Sequence, residues 1–292
     1  MVFKITKKAK INNNTSYAQM VWKRFKRHKL ALVSLIFLAT IIVLAILAPI
    51  ITSYSYEETD VEHSMQPPSK LHWLGTDRIG RDIFSRMVWG SRISLSVGLV
   101  AAAVSVFVGT LIGAIAGYFG GIVDDILMRF TEMVMSFPVI FLLLTIISIV
   151  ERSVFNVMLV IGLTSWPGLA RLIRGQFLSL RETGYVEAAK ALGAGHKRII
   201  CKHMLLNCMA PIIVNATLRV GSAILAESSL SFLGLGITDP PSWGTILNSG
   251  RHYMRNAAWI TIFPGIMIFL TVLAFNYVGD GLRDALDPHL KR

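Results

Sequence analysis

YVEAAKALGAGHKRIICKHMLLNCMAP, residues 185–211, is the longest polar interruption in the hydrophobic C-terminal half of the chain, and its placement decides how the rest is folded. Residues 185–192 are good helix formers, with Glu187 in the first turn, where a carboxylate suits the positive end of the helix dipole. Gly193 is where the chain can turn left-handed and stop that helix. Gly195 interrupts the run again before a second helical stretch. Ala188, Ala189, Ala191 and Ala194 give the first helix a small-residue surface that the groove of another protein can approach closely. The stretch is built to lie outside a bilayer and be gripped there; read from physics alone, an ordinary loop between spans is the equal alternative.

Composition makes the bilayer the expected solvent. Of 292 residues, 53% are hydrophobic and 16% charged, where a soluble domain would carry roughly a quarter charged. The net charge of +12 would suggest nucleic acid in a soluble protein. Here the basic residues gather in tails and loops between apolar runs, which is the charge bias of a membrane protein, and no nucleic-acid partner is expected. Cys201 and Cys208, seven residues apart on one helix, would be about 10 Å apart and beyond disulfide reach.

The remaining chain is expected to be an all-α integral membrane protein with about six transmembrane helices and both termini cytoplasmic. Residues 1–29 form a basic tail, with Lys4, Lys7, Lys8 and Lys10 followed by Lys23, Arg24, Lys26, Arg27 and Lys29 and nothing acidic. Residues 30–51 form the first span, too long for the roughly 7–15 apolar residues of a cleaved signal. An external segment, 52–92, opens with Glu57, Glu58, Asp60 and Glu62 and ends in a short amphipathic helix. The core, 93–292, holds five more spans, expected at 93–118, 133–150, 154–172, 205–230 and 258–278, with a cytoplasmic loop at 181–204.

Several residues inside this core invite a role. Gly109, Gly113, Gly117 and Gly121, four apart, make a smooth face for another helix, either within the chain or on a second subunit. Asp124 and Asp125, beside Arg129 in a turn expected at 119–129, read as a solvated helix start. Trp166-Pro167-Gly168 should bend or break the fourth span, either for packing or beside a transport path. Arg219 and Glu227 lie within the fifth span, where ionisable residues are functional candidates by default. Two turns apart, they could neutralise one another or line an aqueous pathway.

The motif Glu187-Ala188-Ala189, with Gly193 after it, resembles the EAA signature of ABC importer permeases. The signature closes with Ile-x-Leu-Pro; here those positions are His203-Met204-Leu205-Leu206, with Leu206 where a proline is usual. The string LGTDRIGRDIFSRMVWGSRISL, from Leu74, resembles the N-terminal hallmark of the C-type permease subunit of dipeptide and oligopeptide importers. The stretches from Ser231 to Gly236, from Pro240 to Gly244 and from Gly279 to Asp284 are similar to the same branch. The resemblance implies a type I ABC importer permease fold in the cytoplasmic membrane of a prokaryote. It implies Glu187, Ala188, Ala189 and Gly193 as the surface coupled to an ATPase. It also implies as partners a second homologous permease subunit, two ATP-binding ATPase subunits and an external substrate-binding protein.

No G-x-x-x-x-G-K-[ST] phosphate cradle, G-x-S-x-G elbow, or CxxC or HExxH pattern occurs in the sequence. ATP hydrolysis is therefore assigned to other chains, and no cofactor, catalytic residue or metal site is expected. Peptides are the expected cargo; nickel or another small solute is the alternative. An ion-coupled secondary transporter would need intramembrane carboxylates, and only Glu227 offers itself.

Overall fold

The computed structural model describes residues 17–237 and 239–287, apart from the Tyr17 side chain. Lys4, Lys7, Lys8, Lys10 and Pro288 lie outside the described residues.

Two short N-terminal pieces frame the first span. Helix α1 (Tyr17–Phe25) leads to α2 (Lys29–Ile46), whose first turn is capped by His28, its Nδ1 accepting from Ala31 N at 3.1 Å. The apolar run then steps through Leu47 into the short α3 (Ala48–Ile51), with Pro49 in its first turn, where a missing N–H costs no hydrogen bond. Phe25 of α1 is buried, and Arg24 Nη1 donates to the Asp287 carbonyl at 2.9 Å.

Helix α4 (Ile83–Phe119) is one 37-residue rod, so the amphipathic segment and the second span form a single helix of about 55 Å. Asp82 caps it, accepting from Ser85 N at 2.7 Å, and Gly120, with φ of 66°, ends it. The helix overruns the roughly 30 Å hydrocarbon core. At least one end therefore stands clear of it.

The stretch expected as a turn at 119–129 is instead helical. Helices α5 (Gly121–Met135) and α6 (Val139–Ile149) meet at 85°. Pro138 causes the break, because it has no N–H and disfavours helical geometry at Phe137. Eleven residues in α6 rise only about 16 Å, so the third crossing needs both helices. The fourth is also a bent pair: α7 (Val154–Ser165) and α8 (Pro167–Arg181) meet at 44° across Trp166, as Trp166-Pro167-Gly168 predicts.

Helix α9 (Gly184–Ala191) and the short α10 (His196–Arg198) follow. A π-helical stretch (Ile199–Met204) and a 3-10 turn (Leu205–Cys208) lead into α11 (Met209–Phe232). Helix α12 (Trp243–Gly250) lies between α11 and α13 (Trp259–Leu286), which carries Pro264 inside it. Four helical runs are long and apolar enough to span: Lys29–Ile46, Ile83–Phe119, His196–Phe232 and Trp259–Leu286; counting each bent pair as one span gives six.

The glycine stripe serves packing within the chain. A Cβ at Gly109 would stand 2.9 Å from the Trp166 carbonyl, and one at Gly117 would stand 2.6 Å from Phe177 Cβ. Gly113 is pressed equally hard against Ala170 and Ile173 of α8. Gly121 lies outside the stripe: its φ is 52° and its Cβ direction is open. Replacing Gly113 by Leu should cost about 1–3 kcal/mol through overpacking, read as a lower thermal midpoint of the purified protein. Gly175→Ala, on α8 with open space around it, should hold or slightly raise the midpoint, by up to about 1 kcal/mol.

Candidate functional site

Helix α9 is a short helix fastened on one side and free on the other. Val186 is fully buried in a cluster with Leu169, Ile173 and Phe177 of α8 and Ile199 and Met204 beyond the loop, while Ala189 and Ala194 pack partly buried against it. At its C-terminus Gly193 takes φ of 80°. Gly193 N donates to the Lys190 carbonyl at 2.9 Å and Ala194 N to the Ala189 carbonyl at 3.0 Å. This pair of bonds is a Schellman cap, which satisfies the last carbonyls and stops the helix. Glu187 in the first turn and Lys190 in the last both oppose the helix dipole.

The four residues singled out from sequence are thus divided. Glu187, Ala188 and Gly193 are exposed, whereas Ala189 is half-buried and faces the chain's own core. Leu192, which sequence reasoning passed over, is 88% exposed at the tip of the helix. An exposed leucine directly before a cap glycine, on a segment already read as a docking surface, was the available signal.

The loop is tied to the end of α4. Tyr118 Oη lies 2.7 Å from His196 Nδ1, and Lys190 Nζ lies over the Tyr118 ring at 6.0 Å. Asn207 Nδ2 donates to the His203 carbonyl at 2.6 Å and to Tyr185 Oη at 3.2 Å. A cavity of about 440 Å³ between α4 and the loop is lined by Arg181, Lys190 and His196 together with Tyr118 and Phe119. Leu206, standing where a proline is usual in the EAA signature, is exposed in the 3-10 turn.

Arg219 and Glu227 do not neutralise one another, and each has its own partners. Leu169 N bonds the Trp166 carbonyl at 3.0 Å, which leaves the Ser165 carbonyl without its usual partner four residues on. Arg219 Nη1 donates to that carbonyl. The guanidinium thereby repairs the break in the fourth span and brings positive charge to the C-terminus of α7. Glu227 is 4% exposed. Its Oε1 accepts from Ser231 Oγ at 2.6 Å and from Ser242 Oγ at 2.7 Å. Ser242 begins α12 in a capping box with Thr245, and the neighbouring Trp243, fully buried, donates from Nε1 to the Met87 carbonyl at 3.0 Å. Glu227 therefore clamps α12 to the end of α11.

Asp124 also differs from its reading as a solvated helix start. It is buried, and Arg174 binds it with Nε at 2.5 Å and Nη2 at 2.6 Å, a two-pronged pair joining α5 to α8. Phe130 stacks on Trp166 in the same joint, centroids 5.9 Å apart.

Before α4, the motif from Leu74 to Arg86 folds on itself. Gly75 and Gly80 have φ near 80° (78° and 80°), and Asp77 Oδ1 accepts from Ile79 N and Arg81 N, each at 3.0 Å. His72 Nδ1 lies 3.0 Å from Asp82 Oδ1, holding the carboxylate that caps α4. Nearby, His63 at 2.6 Å keeps the Asp60 carboxyl below its ordinary value.

Residues 109–292 match the family described as the binding-protein-dependent transport system inner membrane component. The chain belongs to this family. Residues 16–68 further match the N-terminal transmembrane domain of oligopeptide transport permease C. The permease is 46% identical over 271 residues to the dipeptide transport system permease protein DppC of Alkalihalophilus pseudofirmus, covering 92% of this chain and 89% of the relative. It is 40% identical to the oligopeptide transport system permease protein OppC of Bacillus subtilis, covering 93% and 91%. It is 42% identical to the glutathione transport system permease protein GsiD of Pectobacterium atrosepticum, covering 92% and 90%. An inward-facing structure of the MetNI methionine ABC transporter shares the fold: TM-score 0.57 at 19% identity, covering 70% of this chain and 97% of that one. The permease is a multi-pass inner-membrane protein.

The serine clamp of the permease gives a direct test. Glu227→Gln keeps an acceptor for both hydroxyls and should cost less than about 1 kcal/mol, whereas Glu227→Leu leaves them unsatisfied and should cost about 1–3 kcal/mol. Thermal denaturation of the purified protein, with limited proteolysis of the chain between α11 and α12, separates the two.

Proposed function

We propose that the permease is one membrane-spanning half of an ATP-driven importer for dipeptides and oligopeptides. It works with a second homologous permease, two ATP-binding ATPase subunits and an external substrate-binding protein. The observation that carries this reading is the divided surface of α9. A helix whose inner face is locked by Val186 and a Schellman cap, and whose outer face offers Glu187, Ala188 and Leu192, is a handle for another protein. The names of the relatives support the cargo, since dipeptide, oligopeptide and glutathione permeases all match along nearly the whole chain.

In this reading α9 lies on the cytoplasmic side, as do both termini. Closure of the ATPase subunits on ATP displaces α9. Two connections carry that displacement inward: the Val186 cluster to α8, and the Tyr118–His196 bond to α4. Gly193 fixes the angle at which the handle meets the second half of the loop. Arg219 and Glu227 act as joints that keep the spans in register during the movement, rather than as lining of the path.

Two experiments test the arrangement. Ala188→Glu and Leu192→Asp alter only exposed positions, so the permease should keep its thermal midpoint while co-purification of the ATPase subunits and peptide uptake fall at least tenfold, a loss of about 1.4 kcal/mol or more in the contact. Full uptake with both substitutions would remove α9 from the coupling role. Cys201 is exposed and Cys208 buried, so a membrane-impermeant maleimide should label Cys201 in inverted vesicles and not in intact cells. Labelling from outside would reverse the proposed topology.

A further inference from the structure

One buried charge in the permease is left without adequate partners. Arg86, in the first turn of α4, is 4% exposed. Its Nε is buried and has no hydrogen-bond partner. Its ion pair, from Nη1 to Asp77 Oδ2, spans 3.8 Å. Asp77 has little left to give, because it already accepts from Ile79 N, Arg81 N and Arg81 Nε, the last at 2.7 Å. An arginine taken out of water normally binds a carboxylate through two parallel N–H donors, and leaving one unpaired is costly. This arginine instead borders a cavity of about 320 Å³ between the start of α4, the end of α11 and α12.

The other walls of that cavity favour an anion. Arg81 brings a second guanidinium, and Asn248, half-buried on α12, brings an amide. The hydroxyls of Ser231, Thr245 and Ser249 spend their protons on Glu227 and on the Ser242 and Ile246 carbonyls, so side-chain donation into the cavity falls to the two arginines and Asn248. Among the described residues, Asp77 is the one acid in ion-pair contact with the two arginines, and Asp239 adds a second carboxylate close enough for its charge to act on Arg86. A neighbouring cavity of about 350 Å³, sharing Arg81, Asn248 and Ser249, adds Arg78 and His252, so the approach is basic as well.

We infer that this cavity is a carboxylate-binding subsite, in which Arg86 receives the free C-terminal carboxylate of a transported peptide at the end of the permease opposite α9. The inference rests on the peptide reading given above. Every unblocked peptide carries that group whatever its side chains, so the subsite tolerates varied sequences while rejecting solutes that lack the charge. A carboxylate here completes the fork of Arg86 and gives its Nε the acceptor it lacks.

The test uses the whole assembly, with its binding protein, in proteoliposomes. Uptake of a short peptide and of its C-terminal amide is measured, each at a concentration that saturates the binding protein. The wild type should favour the free carboxylate by about tenfold or more, the size of a charged hydrogen-bonded contact. Arg86→Gln should bring the ratio below about twofold by slowing the free peptide and sparing the amide, and Arg86→Lys should fall between. Asn248→Asp, which puts an opposing charge on a half-buried wall, should collapse the ratio in the same way, and it decides the matter if the Arg86 variants do not assemble. An unchanged ratio in the variants overturns the subsite while leaving the peptide reading intact. Equal slowing of both peptides would mean that the carboxylate belongs to the docked binding protein, and overturns it too. A wild type that carries neither peptide overturns the peptide reading and, with it, the subsite.

Discussion

Helix α8 lies at backbone distance from α4 because Gly109, Gly113 and Gly117 carry no side chain, and the placement of the functional groups follows from that contact. Without a hydrophobic driving force in lipid, close approach of this kind is what makes helix association favourable. The same face of α8 that meets the glycines carries Ile173 and Phe177 into the cluster that holds Val186. Arg174, between them, reaches Asp124 on α5. One close contact thus sets where the handle hangs, how the bent third span is braced, and which way the break at Trp166 opens.

The buried charges follow a common rule. Each sits where regular structure is interrupted and bonds a neighbouring group whose hydrogen bond would otherwise go unmade: a freed carbonyl for Arg219, serine hydroxyls for Glu227 and the Arg174 guanidinium for Asp124. Arg219 occupies the gap created by Pro167, Glu227 the corner between α11 and α12, and Asp124 the start of the helix after the Gly120–Gly121 reversal. Away from water such unmade bonds cost several kcal/mol, so these residues stabilise the breaks that give the bundle its shape. Arg86 stands apart from the rule, since its Nε has no partner and its ion pair to Asp77 is long.

Much of this was legible in the sequence. Hydropathy pointed to about six spans, a number matched when each bent pair counts as one; the alanine-rich helix ending at Gly193 was placed within one residue, and the tryptophan-proline-glycine break appeared where expected. The glycine stripe announced a close helix contact but not its partner, because spacing specifies a face and says nothing of what meets it. Helix α5 was misread: two glycines with positive φ and two adjacent aspartates look like a turn, and the Arg174 that holds the first of them lies 50 positions away. The partner of Arg219 was invisible for a different reason. It is a backbone carbonyl, freed by a kink whose hydrogen-bond consequences no residue type records. Leu206 shows the converse: where a proline is usual, the chain passes through a π-helical stretch and a 3-10 turn inside one helical run, His196–Phe232.

The unbroken length of α4 has a mechanical consequence. A helix resists bending far more than it resists rotation as a body, and this one runs without interruption from the Asp82 cap to Tyr118, bearing on α8 along its latter half. A swing of about 5° around the midpoint of a rod of roughly 55 Å carries its two tips about 2 Å in opposite directions. Tyr118 near one tip and Arg86 near the other are thus parts of one uninterrupted element.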